Sequence, residues 1–456
     1  MKKINKQFLL LTFIFISWAT MWFSINAIPY EIKDMSASIV NFLNGSRSIG
    51  AILISIASLV LLIFLIISKK IKKFSIILIL FTLYFIFQFI GLLANDARVT
   101  DIHSAYLILY AMSIISILAI IDIEKLHKII PYFFYIALSI LTIAYLIILS
   151  QSTDNFISII AGNLYNLFHP DEMIFDQAPP RISGLTRSFA IISLSLLIIF
   201  TYNKKIKILS PIIFSLVIFL SIFIWLAQSR GTLLCYYFSS IFFIIFLNNL
   251  NQFKKFLMII SITFFSIVVS NVIINVVKKD ILETKKIDEK ISSNKKHLPR
   301  IFEMEAGTSG RLTLWNNALD KYEKNKLFGY GPQADRILIN KNNVYGNNVS
   351  NALIYALLSG GYFSLIILIL IYLYTAYMFL KFFLVNKIFS NQLEINKENI
   401  FVVTSLVYTV FFMIRSIFEN SFGVFSIDFL ILILSLFVIE NQISKKLYLK
   451  SFRSYL

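Results

Sequence analysis

Residues 351–380 read NALIYALLSGGYFSLIILILIYLYTAYMFL, a stretch without one charged side chain. A helix rises 1.5 Å per residue and the hydrocarbon core of a bilayer is about 30 Å thick, so about 20 such residues cross it. The stretch is long enough to span a membrane and too apolar to lie in water. Similar runs occur at 8–28, 48–68, 74–94, 103–123, 129–149, 188–202, 208–228, 232–248, 256–277, 400–418 and 423–440. Composition agrees with that pattern. Of 456 residues, 58% are hydrophobic and only 14% charged, whereas soluble domains carry roughly a quarter charged residues. The expected fold is therefore all-α: a polytopic membrane helix bundle of about 12 transmembrane helices with one large outer loop containing an amphipathic helix.

The expected organisation has three parts. Residues 1–277 hold helices one to nine, 278–350 form the large loop, and 351–456 hold the last three helices and a cytoplasmic tail. The run at 8–28 is too long for a signal-peptide core and lacks a small-residue cleavage site, so it is expected to be the first anchor. Cys235 is the single cysteine and lies in an apolar run, which excludes a disulfide framework within the chain and predicts a buried thiol.

Lysines set the orientation. Clusters at Lys2, Lys3 and Lys6, at Lys69 to Lys73, at Lys125 and Lys128, at Lys204 to Lys207, at Lys254 and Lys255, at Lys387 and Lys397, and at Lys445 to Lys450 alternate with Lys-poor connections. Retention of short basic loops on the inner side places both termini in the cytoplasm. The segments 150–187 and 278–350 are then outside. The second carries 14 Lys and Arg, but long loops are translocated largely regardless of charge. The net charge of +18 is thus a topology signal plus one basic loop, and no nucleic-acid partner is implied.

Arginine is distributed differently from lysine. Nine of the ten Arg fall on the expected outer side: Arg47, Arg98, Arg181, Arg187, Arg230, Arg300, Arg311, Arg336 and Arg415. A guanidinium binds phosphate oxygens at two points and keeps its charge, which an ammonium does less well. Together these Arg predict an anion site at the outer surface. The competing structural expectation is that they cap helices or pair with Asp96, Asp335 or Glu419. Arg230 and Arg415 stand at the outer ends of spans, where a charge is costly and points to function. For Arg415 an ion pair with Glu419, one helical turn on, is the structural alternative.

Residues 278–300 are polar and Lys-rich, without an apolar helical period, and are expected to be mobile. From Arg311, GRLTLWNNALDKYEKN places Leu312, Trp315, Leu319 and Tyr322 at spacings of three and four, which predicts an amphipathic helix capped by Thr308 or Ser309. Its apolar stripe is expected on the membrane surface or on the bundle. FGYGP then ends it.

The segment SGRLTLWNNALDKYEKNKLFGYGP resembles the hallmark of the O-antigen ligase and O-antigen polymerase superfamily, a Gly-Arg, a Trp and a Phe-Gly-Tyr-Gly turn in a large periplasmic loop. PRISGLTRSFA, QSRGTLL and SNALIYALLSGGYFS resemble three further elements of that family in the same order, so the resemblance runs from about residue 180 to 375. One position departs: Ser350 stands where the family usually has a His before the Asn, here Asn351.

The resemblance implies a bacterial inner-membrane enzyme with a periplasmic active face. It would move a glycan from an undecaprenyl diphosphate carrier to an acceptor, either the lipid A core (a ligase) or a second lipid-linked glycan (a polymerase). Ser350 tilts the expectation towards the polymerase. Such a leaving group needs its charge neutralised rather than a general acid, and Arg181, Arg187, Arg230, Arg311 and Arg415 are the candidates to hold it. The acceptor hydroxyl benefits from a base: Glu303, Glu305, Glu419, His169 and His297 are the outer-face candidates. Trp315, Tyr330 and Tyr345 are candidates for stacking on sugars, with packing as the alternative; Ser350 and Asn351 are placed with the substrate-binding set. No Asp-x-Asp pair and no His/Cys cluster with metal spacing occurs on the outer side, so a metal-independent reaction without cofactor is expected. A transporter or flippase is the rival class. A 70-residue basic outer loop is unusual there, and the sequence carries no evident inverted pair of broken helices.

Overall fold

The computed structural model describes residues 75–94, 182–202, 210–226, 230–247, 251–285, 311–322, 327–338, 349–385, 400–419 and 427–453, with Ile56, Val60, Ile63 and Phe422. All regular structure among them is helical: α1 (Ile76–Ala94), α2 (Ile182–Tyr202), α3 (Ser210–Leu226), α4 (Arg230–Phe246), α5 (Gln252–Lys285), α6 (Arg311–Tyr322), the single turn α7 (Asp335–Leu338), α8 (Ala352–Val385), α9 (Ile400–Phe418) and α10 (Ile427–Arg453). The expected all-α architecture holds for these residues. Four helical stretches are long and apolar enough to cross a membrane: α1, Gln252–Ile273 of α5, Ala352–Leu384 of α8, and α9. Shorter apolar stretches lie in α2, α3, α4 and α10. The expected spans at 8–28, 103–123 and 129–149 lie outside the described residues, as does nearly all of 48–68, so a total of twelve is not established. One expectation is corrected. The helix of α5 does not stop at 277 but continues through Lys285, because extending a formed helix costs far less than starting one and outweighs the loss of apolar pattern.

The chain divides into two compact units. The first contains α1 and α6 to α10, the second α2 to α5. In the second unit, hydroxyl bonds tie neighbouring helices together. The Tyr236 hydroxyl on α4 meets Ser193 of α2 at 2.8 Å and Ser221 of α3 at 2.6 Å. Tyr237 meets Ser266 of α5 at 2.7 Å. In lipid there is little hydrophobic drive between helices, so such polar contacts and close packing hold them. Cys235 is fully buried in this unit, as expected.

In the first unit α8 lies along α1. Phe81 and Phe85 of α1 pack on Phe429 of α10, with ring centroids 5.5 and 5.2 Å apart. Glu440 of α10 caps the start of α1, accepting from the Ile76 amide at 2.8 Å, and also accepts from the Tyr374 hydroxyl at 2.7 Å. A carboxylate at a helix N-terminus satisfies free N–H groups and complements the helix dipole.

One end of the first unit is shaped by a break in α8. Gly360 and Gly361 leave helical geometry, with Gly361 at φ 68°. A break inside a stretch apolar enough to cross a membrane frees carbonyls that lipid cannot satisfy. The turn of FGYGP fills the need: the Tyr330 amide donates to Leu358 O at 2.7 Å and the Gly331 amide to Ser359 O at 2.8 Å. Backbone meets backbone here. A Cβ on Gly361 would lie 2.1 Å from Leu327 O, and one on Gly91 of α1 would lie 2.3 Å from Phe328 O. Glycine at both places is a steric requirement of the docked turn.

Candidate active site

Helix α6 begins at Arg311 and ends at Tyr322, where the sequence predicts it. Two members of the expected stripe, Trp315 and Tyr322, lie on the face it packs against the bundle. Trp315, Ala318 and Tyr322 pack with Leu314 against Tyr330, Ala334, Val349, Tyr355, Leu357 and Leu358. Leu312 and Leu319 are exposed. Four positions at helical spacing define a stripe but not its edge, and the small Ala318 sits where the helix approaches α8. The expected caps Thr308 and Ser309 lie outside the described residues.

The entrance to α8 is fixed by side chains. Asn351 caps it, its Oδ1 accepting from the Leu353 amide at 2.9 Å and the Ile354 amide at 3.1 Å. The same side chain donates from Nδ2 to Ile417 O, at 3.1 Å, and so pins the entrance of α8 to the last turn of α9. Ser350, immediately before it, has φ 49°, a left-handed backbone uncommon outside glycine. Buried Asp335 accepts from the Val349 amide at 3.0 Å, and Trp315 donates from Nε1 to Val349 O at 2.8 Å. Helix α6, Asp335, Val349 and the entrance of α8 are thereby held together.

Two arginine–carboxylate pairs lie in the same unit. Arg311 Nη2 lies 3.1 Å from Glu419 Oε1, with about a quarter of each side chain exposed (27% and 25%). Arg415 Nη1 lies 2.5 Å from Asp428 Oδ2, with exposures of 5% and 1%. Arg415 therefore does not pair with Glu419 as the one-turn spacing suggests. Glu419 stands past the end of α9, its amide closing the last turn on Arg415 O at 2.8 Å, while Asp428 arrives from the start of α10. Sequence reasoning had not singled out Asp428, and its place in the first turn of the last apolar helix was the available signal. The expected structural role of Glu419 as an Arg partner is met by Arg311.

The structure thus brings Arg311, Trp315, Tyr330, Ser350, Asn351, Arg415 and Glu419 into one unit. Tyr330 is buried and donates its hydroxyl to Lys321 O at 3.0 Å, in keeping with the packing role given as its alternative. Burial pushes its phenol above the ordinary value, so it stays neutral. Arg187, buried on α2, and Arg230, the first residue of α4, belong to the other unit. Arg181, Glu303, Glu305, His169, His297 and Tyr345 lie outside the described residues. Among the described residues no group of three or more His, Cys, Asp or Glu has the arrangement of a metal site.

What the Arg311–Glu419 end of the first unit can do is chemically narrow. A guanidinium at the start of a helix offers charge and directed donors to an anion, and the Glu419 carboxylate beside it is about a quarter exposed. No curated protein and no solved structure matches the chain. A protein-family comparison does: residues 215–369 match the family described as O-antigen ligase, roughly a third of the chain, from α3 through the loop helix and the break of α8. That match carries Arg230, Arg311, Trp315, Tyr330, Ser350 and Asn351 within its bounds, so over this third of the chain the protein is similar to the O-antigen ligase family.

Proposed function

We propose that the protein is a membrane glycosyltransferase that moves a glycan from an undecaprenyl diphosphate carrier to an acceptor on the periplasmic face of the bacterial inner membrane. The observation that carries the reading is Arg311. It lies inside the family match, opens α6, and keeps about a quarter of its side chain exposed while pinned by one carboxylate contact. An arginine so placed suits a diphosphate, whose departure with the bonding electrons is helped by neutralising its charge. Arg181, Arg187 and Arg230 share that chemistry and remain candidates for binding the lipid-linked donor. Arg415 is buried against Asp428, and the reading gives it a supporting place.

The acceptor is a second lipid-linked glycan, as in a repeat-unit polymerase, or the lipid A core, as in a ligase. Ser350 in place of the usual His favours the polymerase. Purified protein in lipid, given a diphosphate-linked glycan donor, is expected to release lipid diphosphate. It should extend a second carrier-bound glycan rather than modify lipid A core. Because arginine supplies the charge, turnover is expected to survive EDTA. Loss of activity that Mg or Mn restores would overturn the metal-independent form of the reading, and no turnover with any such donor would overturn the whole.

The reading also needs residues 278–350 outside and both termini inside. A reporter active only outside the cell is expected to work when fused at Lys290 and to fail when fused at Lys255. The reverse pattern would put every outer arginine on the wrong side.

A further inference from the structure

We propose, resting on the transferase reading above, that Glu419 takes the proton from the acceptor hydroxyl, and that its ion pair with Arg311 is a resting lock which the donor's diphosphate opens. The described carboxylates near the outer end of the first unit differ sharply in availability. Asp335 is buried and accepts the Val349 amide. Asp428 is buried in its pair with Arg415. Asp320 lies on the exposed side of α6, nine residues from Arg311. Glu419 alone of these is both partly open to solvent and in contact with the arginine that suits the donor.

The contact is built so that it can exchange. It uses one guanidinium nitrogen, Nη2, and one carboxylate oxygen, Oε1. The other guanidinium nitrogens and Oε2 stand outside the pair. A diphosphate presents more charge and can take the planar fork at two points, so it displaces a single-point carboxylate. Asn351 on Ile417 O and Arg415 on Asp428 anchor the chain on either side of Glu419.

The exchange also frees Glu419 to meet the acceptor. Once Arg311 turns to the diphosphate, the Oε1 that the guanidinium held is open to a hydroxyl. In the step itself the acceptor oxygen bonds to the anomeric carbon. The bond from that carbon to the diphosphate oxygen breaks, and the diphosphate leaves with the electron pair. The hydroxyl proton passes to Glu419 and then to water.

The test uses the full-length protein in lipid, with the diphosphate-linked glycan for turnover and inorganic pyrophosphate as the binding probe. Glu419→Gln is expected to lower kcat at least about a hundredfold, the lower range for a lost general base. Pyrophosphate affinity is expected to stay level or tighten by up to about fivefold, since a competitor worth little as an exposed ion pair has been removed. A purely structural role would weaken binding and turnover together. Glu419→Asp keeps a carboxylate and should retain pyrophosphate affinity with a partial kcat, which decides the matter if the Gln variant does not fold. Full kcat in either variant, or loss of pyrophosphate binding in step with kcat, overturns the proposal. Absence of turnover in the unaltered protein would instead strike at the transferase reading.

Discussion

Two arginine–carboxylate pairs meet at the end of α9, through Arg415 in its last turn and Glu419 just past it, and they are built for opposite tasks. Arg415 and Asp428 are sealed from solvent, whereas Arg311 and Glu419 each keep about a quarter of their side chain exposed. The elements involved explain the difference. Arg415 lies within the last turn of α9 and Asp428 in the first turn of α10, so two apolar helices close over them. Arg311 opens a loop helix and Glu419 stands beyond the end of α9, so neither is enclosed by a helix on all sides. A buried pair is costly to form, but once formed it is more costly to break by removing one partner. An exposed pair contributes roughly 0–1 kcal/mol and can be given up. The first pair fixes the α9–α10 corner, and the second is free to trade partners.

The sharpest way to break the comparison is to remove the charge from Asp428. Asp428→Asn keeps the shape but leaves the Arg415 charge without its counter-charge in a site 5% exposed or less. The expected loss is about 3–5 kcal/mol of stability, read as a lower unfolding midpoint in detergent or as failure to accumulate in the membrane. Unaltered stability would mean that Arg415 is not held by Asp428 and would return it to the pool of donor-binding arginines.

How much of this was legible in the sequence depends on what kind of interaction was at stake. Long apolar runs specify helices through composition alone, and α1, α5, α8 and α9 appear where the runs predict them. The amphipathic α6 was legible for the same reason, yet its buried edge was not, because Leu312 and Leu319 look as apolar as Trp315 and only the approach of α8 at Ala318 chooses between them. The Gly-Tyr-Gly turn was legible as the end of α6, but the break at Gly360–Gly361 was not, because residues 351–380 read as one continuous apolar run. That they meet could not be read, since the contact runs through Tyr330 and Gly331 amides on Leu358 and Ser359 carbonyls, and backbone groups leave no mark in the sequence. The partner of Arg415 was misjudged for a related reason. Spacing along a helix favours Glu419, but that rule ends where the helix does, and Asp428 wins by burial.

The exposed pair is sharpened by a substitution that keeps charge and changes geometry. Arg311→Lys leaves a cation within reach of Glu419 and of an anion at the start of α6, so the ordinary Coulomb attraction survives. What it removes is the flat two-point fork, which matters only if Arg311 holds phosphate oxygens while chemistry proceeds. Membrane insertion and stability are expected to be unchanged, because the pair contributes little to folding at its exposure. Transfer is expected to fall by at least about tenfold, comparable to one strong hydrogen bond to a charged group. Arg336→Lys, further along the loop in α7, is the control and should leave transfer nearly unchanged. The comparison is between rates in lipid with the same diphosphate-linked donor at saturating and limiting concentrations. If Arg336→Lys abolishes transfer while Arg311→Lys retains all of it, the exchangeable pair is only a surface ion pair and the diphosphate lies elsewhere on the loop.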